Sequence, residues 1–214
     1  MKYVVNSAAF LTWSKEMAYW LGFLFADGCV FMRRRKTGTT EHLLQVKLRT
    51  GDTGHLHRCK DWLGYTGPVK HPTEASASLC IYNKDLVKSL VQLGMSYRKT
   101  YAGVTIPLMP ARCILPFAQG AYDGNGSLSR DDDGLKISLS GPAGLPQWFR
   151  VQVATHVELA RGGSLFKRGP MYDVAWHGDR QVPHIASWVM HDTGVARLPR
   201  VMHKYDATME VCHS

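Results

Sequence analysis

Asp27 and Asn125 occupy the same place in two copies of one pattern. The first copy is Trp20-Leu21-Gly22-Phe23-Leu24-Phe25-Ala26-Asp27-Gly28; the second is Ala118-Gln119-Gly120-Ala121-Tyr122-Asp123-Gly124-Asn125-Gly126, running on into Ser127. Small residues recur at every fourth position, Ala18, Gly22 and Ala26 in one copy and Gly120 and Gly124 in the other. On a helix that spacing makes a stripe without bulk, along which two backbones approach closely. Glycine inside a helix costs about 1 kcal/mol relative to alanine, so glycines at matched places imply a packing reason. If the two stripes meet, both helices end together and their eighth-position side chains lie side by side. A carboxylate and an amide oxygen converging there suit a hard cation such as Mg2+, with Ca2+ or Mn2+ as substitutes. Asn125, however, lacks the charge that draws in a dication.

The copies lie 98 residues apart, Gly22 to Gly120, close to half of a 214-residue chain. Duplication at that period predicts two similar half-domains facing each other. Ser14 can cap a helix running through Asp27. Residues 29–35 and 43–49 read as strands around the turn at 36–40. Asp52 or Thr53 can cap a helix ending at Gly64; residues 67–71 and 76–82 read as a second strand pair, and Asn83 caps a helix closed by Gly94. The second half repeats this order: a helix over 110–123, strands near 127–130 and 135–140, a helix over 145–160, strands near 165–167 and 172–177, and a helix over 181–191. The expected class is α+β, two pseudo-symmetric αββαββα halves, each with a curved antiparallel sheet, packed through the motif helices. Residues 1–94 form the first half, 95–109 the linker and 110–214 the second half.

A net charge of +9 favours a polyanionic partner. The apolar run 17–26 is too short for a membrane span of about 20 residues, and no secretory leader is visible, so a cytoplasmic or organellar-matrix location is expected. Five scattered cysteines (Cys29, Cys59, Cys80, Cys113, Cys212) without a Cys-x-x-Cys pair suit reduced thiols rather than a zinc ribbon or a disulfide framework. Three other readings of the second copy fail on detail. An EF-hand loop from Asp123 would need Gly and Glu where Leu128 and Gly134 stand; no Lys-Ser or Lys-Thr follows the glycines as a phosphate loop requires; and the glycines end a helical run rather than follow a strand.

Leu115-x-Phe117-x-x-Gly120-x-x-Asp123-Gly124-Asn125-Gly126-Ser127, with Trp20-Leu21-Gly22-x-x-x-Ala26-Asp27-Gly28, resembles the LAGLIDADG homing endonucleases in their single-chain, two-motif form. The resemblance spans nearly the whole chain, and the first copy departs from it at Phe25, where an acidic residue is usual. It implies a monomer that hydrolyses phosphodiesters of double-stranded DNA with a divalent metal held by the eighth-position residues, Asp27 and Asn125. Asn125 then marks a disabled or nicking enzyme, a DNA-binding protein without cleavage, or an RNA-splicing maturase. Asp123, at an acidic position common in the motif, is expected to be structural. The resemblance also places a lysine near the catalytic centre, for which Lys84, at a strand–helix junction, is the candidate. Thr50 and Ser140, ending each second strand, are candidates to hold solvent there.

If the strands of each half form one sheet, alternate residues face a duplex and can enter its major groove. Arg33, Arg35, Lys47, Arg49 and Lys70 are the candidate DNA contacts of the first half; Arg130, Lys136, Ser138, Lys167 and Arg168 are those of the second. Arg34, Lys36, Lys99, Arg197, Arg200 and Lys204 are assigned to the phosphate backbone.

Overall fold

Each half begins with a helix whose end is decided by the motif. In the computed structural model, which describes residues 3–132 and 134–210, α1 spans Lys15–Asp27, and the Ser14 hydroxyl accepts the Met17 amide at 3.0 Å as its cap. The chain leaves α1 at Gly28 directly into a strand. Then follow β1 (Gly28–Arg34), β2 (Thr40–Arg49), a single 3-10 turn, α2 (Thr53–Trp62), β3 (Val69–Thr73), β4 (Ser76–Tyr82), α3 (Lys84–Gln92) and a short α4 (Lys99–Ala102). The second half runs α5 (Ala111–Asn125), β5 (Gly126–Asp131), β6 (Gly134–Pro142), α6 (Leu145–His156), β7 (Ser164–Arg168), β8 (Met171–His177), α7 (Val182–Met190) and α8 (Pro199–Glu210).

The strands form two four-stranded antiparallel sheets with the same order, β1-β2-β4-β3 and β5-β6-β8-β7. The register repeats too: Gly28 lies opposite Val46, and its counterpart Gly126 opposite Leu139. One face of each sheet is apolar, with Val30, Leu44, Val46, Leu79 and Ile81 buried in the first and Leu128, Ile137, Leu139 and Val174 in the second. The helices cover those faces, so the opposite face of each sheet is turned outward.

Local signals placed α3, which Asn83 caps through its side-chain oxygen on the Leu86 amide at 2.8 Å. Asp52 does not cap α2, because its carboxylate is engaged by Arg49 and Arg200, each at 3.0 Å. Helix α6 stops at His156 rather than at 160. Two elements are additional to the expected order: α4, inside the segment read as a linker, and α8 after the last helix. No helix among the described residues is long and apolar enough to cross a membrane, and Cys212 lies outside those residues.

Candidate catalytic centre and nucleic-acid face

The glycine stripes meet. A methyl group placed on Gly22 would sit 2.1 Å from the Phe117 carbonyl oxygen, and one on Gly120 only 1.8 Å from that of Tyr19. One on Gly124 would sit 2.6 Å from the Ala26 side chain. Helices α1 and α5 therefore touch backbone to backbone, and nothing larger than glycine fits at the crossing. Because they run together to their C-termini, Asp27 and Asn125 end side by side, half-buried at the seam between the sheets. In one orientation the Asn125 amide nitrogen donates to the Ala26 carbonyl at 3.3 Å. The opposite orientation satisfies the whole group, donating to Asp27 Oδ1 and the Gly124 carbonyl, both at 3.2 Å.

Burial raises the Asp27 carboxyl to about 6; Lys99 and Arg200 pull it down, and Asp52 pushes it up. Lys99 is buried beneath it, with Nζ donating to the last three carbonyls before Asp27: Leu24 at 3.0 Å, Phe25 at 2.7 Å and Ala26 at 2.5 Å. Burial lowers this ammonium to about 8, against the pull of Cys29 and Asp27. It remains mostly charged at neutral pH, where it opposes the negative end of the α1 dipole beside the carboxylate. With the Asn125 amide turned to present its oxygen beside Asp27, the donor set at the seam would be oxygen only, a carboxylate and an amide, which fits a hard dication. Asp27 is also short of the positive charge such an ion provides. No group of three or more His, Cys, Asp or Glu side chains converges on a metal-sized site among the described residues, so waters and phosphate oxygens would complete a coordination shell.

Asp123, two residues before Asn125, is turned away from the seam. It is fully buried and accepts four hydrogen bonds: from Tyr19 Oη at 2.7 Å, the Leu198 amide at 2.8 Å, and Arg197 through Nε at 2.9 Å and Nη2 at 2.5 Å. With the Tyr19 proton committed to Asp123, His55 Nε2 donates to Tyr19 at 3.1 Å. Burial lowers His55 to about 4, so it stays neutral. Asp123 thus ties both motif helices to the chain leading into α8. Asp123→Asn would leave the nearly buried Arg197 guanidinium without its counter-charge. A loss of about 3–5 kcal/mol is expected, read as a lower urea midpoint at unchanged slope.

The outward face of the first sheet carries all five expected contacts. Arg33 shares its side of β1 with Cys29 and Phe31; Lys47 and Arg49 alternate with the buried Val46 and Leu48; Lys70 pairs through Ser78 with Lys47; and Arg35 follows β1 in the same parity. Two of them are held: Arg35 by Glu41 and Arg49 by Asp52. In the second sheet Lys136 and Ser138 face outward, as does Arg168, which is ion-paired with the buried Asp173 at 2.8 Å. Arg130 does not. It lies opposite Leu135, on the side of β5 that buries Leu128, and pairs with Asp179 at 3.4 Å. Lys167 is likewise on the wrong side, since period-two alternation sends it opposite to Arg168. Thr50 donates to the Glu74 carbonyl at 2.5 Å, and Ser140 lies outward opposite Asp173.

Lys84 is not brought to Asp27. Strand β4 leads away from the seam, from Ser76 opposite Arg49 to Tyr82 opposite Leu43, and Lys84 follows, exposed, at that outer end. The structure puts Lys99 against the end of α1 instead. Lys99 and Arg197 are also no backbone contacts, as both are buried against protein partners.

Comparison with solved structures matches this architecture over nearly its full length. The LAGLIDADG meganuclease I-AabMI bound to uncleaved DNA superposes with a TM-score of 0.62 at 13% identity, over 94% of this chain and 93% of its own. I-DmoI in complex with DNA and Ca gives 0.63 at 11% identity, over 92% and 97%. The chain has the LAGLIDADG homing-endonuclease fold. I-GzeII, a LAGLIDADG homing endonuclease in complex with its DNA target, gives 0.61 at 12% identity, over 94% and 90%. No family model and no curated protein matches the sequence. Within the LAGLIDADG fold, the seam residues missed by sequence reasoning are Lys99, Asp52 and Arg200. Lys99 reaches the carbonyls before Asp27 from a distant segment, Asp52 and Arg200 pair with each other and act on Asp27 through their charges, and only Asp52 had a local signal, as a cap it does not make.

Proposed function

We propose that the chain binds a specific double-stranded DNA site across its two outward sheet faces and hydrolyses one strand at the seam, with Asp27 as its sole metal-binding carboxylate. The observation that carries this is the pairing of Asp27 with Asn125 at the ends of the crossed motif helices, between two outward-turned sheet faces, the first of them basic and the second carrying Lys136 and Ser138. The DNA-bound neighbours support the partner, and the neighbour that also holds Ca supports a divalent ion. Asp27 and the Asn125 amide oxygen would hold that ion, which when bound supplies an activated water and neutralises charge building on the phosphate. Asp27 must be ionised for this. Lys99 fixes the helix end that carries it, and the outward lysines and arginines hold and orient the duplex. A second reading, DNA binding without cleavage, draws on the Asn125–Asp27 hydrogen bond, which engages the carboxylate within the protein.

A duplex selected by binding from a random library tests the proposal in Mg2+, with the two strands labelled separately. Affinity should fall steeply with salt as phosphate contacts release counterions. One strand should be cut, and Asp27→Asn should abolish cutting. A nearly flat salt response would overturn the DNA-binding reading. Tight binding with no cut in either strand would favour the second reading.

A further inference from the structure

The outward faces of the two sheets differ at one level. In the first sheet Phe31, Leu43 and Tyr82 stand in register across β1, β2 and β4. They are turned away from the helices, and Phe31 and Tyr82 are 43% and 53% exposed. Counting from Gly28 and Gly126, which begin the equivalent strands, the matching row of the second sheet is Ser129, Lys136 and His177. One half thus presents an apolar row where the other presents a polar, basic one.

The apolar row is only partly covered among the described residues, with Phe31 in a shallow cleft beside Arg98 and Tyr101, and it lies within a basic field. Arg33 stands one step farther out on β1, and Lys47 and Lys70 lie nearer the seam. Such a field draws a polyanion. The one apolar group that a duplex shows in its major groove is the thymine C5-methyl, whereas guanine shows two acceptors, N7 and O6, that suit lysine. Phe31 lies four residues beyond Asp27, about 13 Å along an extended strand at ~3.3 Å per residue. At ~3.4 Å per base step that is roughly four base pairs.

We propose that the Phe31–Leu43–Tyr82 row reads thymine methyl groups in one half-site, while Lys136 reads guanine at the matching distance in the other. The target site is therefore asymmetric in sequence although the fold is pseudo-symmetric. This inference rests on the duplex-DNA reading above. It adds three specificity-determining residues chosen for their lack of charge.

The test uses the full chain and the duplex selected from the random library, with deoxyuridine replacing thymidine one position at a time, which removes the C5-methyl alone. At a thymine about four base pairs from the seam in the first half-site, loss of the methyl should weaken binding about fourfold, as expected for one buried methyl-sized group. 5-Methylcytosine in place of a cytosine at that step should strengthen it. At the matching step the second half-site should be insensitive to deoxyuridine and should select guanine. Replacing the row with its counterparts (Phe31→Ser, Leu43→Lys, Tyr82→His), all on the outward surface, should remove the deoxyuridine penalty and shift the preference towards guanine. Circular dichroism checks that this variant stays folded. Salt-sensitive, site-specific binding with no deoxyuridine effect, or with an effect that survives the triple replacement, would overturn the row while leaving the DNA reading intact. Failure to select any duplex would overturn both.

Discussion

Replacing Gly120 with alanine is expected to unfold the protein or leave it severely destabilised. The added Cβ would lie 1.8 Å from the Tyr19 carbonyl oxygen and 2.8 Å from both the Tyr19 carbonyl carbon and the Phe23 nitrogen. All three neighbours are backbone atoms of α1, so no side-chain rotation relieves the clash. The helices would have to separate by more than an ångström along a seam where Tyr19, Phe23, Phe117 and Ala121 are fully buried. Overpacking costs about 1–3 kcal/mol where side chains can adjust, and a backbone clash belongs at or beyond the upper end. Against a total stability of about 5–15 kcal/mol that is a large fraction. Urea unfolding should show the loss, and Gly22→Ala, with its Cβ 2.1 Å from the Phe117 oxygen, should behave alike. Gly54→Ala supplies the contrast. A Cβ there meets nothing within 4 Å and lies in α2, so it should stabilise by up to about 1 kcal/mol. Equal effects at the two sites would remove close approach as the reason for the glycines.

That seam was legible because close approach can be written in sequence only by leaving side chains out. The caps were legible for a related reason: Ser14 and Asn83 act on amides three residues away. Strand alternation is also local, and it sends every first-half contact residue to one face. In the second half the same rule divides the candidates between two faces. Lys167 and Arg168 are neighbours on one strand and cannot both face a duplex, and Arg130 falls out of phase with Ser129 opposite Lys136. Other features had no local trace. Lys99 reaches carbonyls 73–75 residues earlier in the chain, and Arg197 reaches a carboxylate 74 residues away. Their function is set by the packing of two halves, which a window of neighbouring residues does not contain. Lys84 failed for the complementary reason: its junction was correctly placed between a strand and a helix, but the direction of β4 carries that junction away from the centre.

Asn125→Asp is expected to turn a single-strand cutter into one that cuts both strands. The two side chains are already adjacent, 3.2 Å apart in the orientation that satisfies the amide, and asparagine is nearly isosteric with aspartate, so no rearrangement is needed to place the second carboxylate. Metal-assisted charge stabilisation is worth several kcal/mol, so cleavage of the slower strand in Mg2+ should rise by about a hundredfold or more. The same replacement should weaken the metal-free protein. Asp27 is raised to about 6 from 3.8, so the unfolded chain gives up its proton first, and stability falls as pH rises across that interval. A second carboxylate beside it loses the amide hydrogen bond and adds like-charge repulsion, which deepens the fall above pH 6. Melting in chelator should therefore drop by several degrees at neutral pH, recover towards pH 4, and recover at neutral pH when Mg2+ is added, because a ligand that binds only the folded state stabilises it. Both measurements use one variant and answer different questions. If Mg2+ restores the melting temperature but cleavage does not change, the two eighth-position side chains form a cation site that does not perform the hydrolysis. If cleavage of the second strand appears without any Mg2+-dependent stabilisation, the added carboxylate acts on water or phosphate directly. Only the two responses together support a paired-carboxylate centre that Asn125 holds at half its charge.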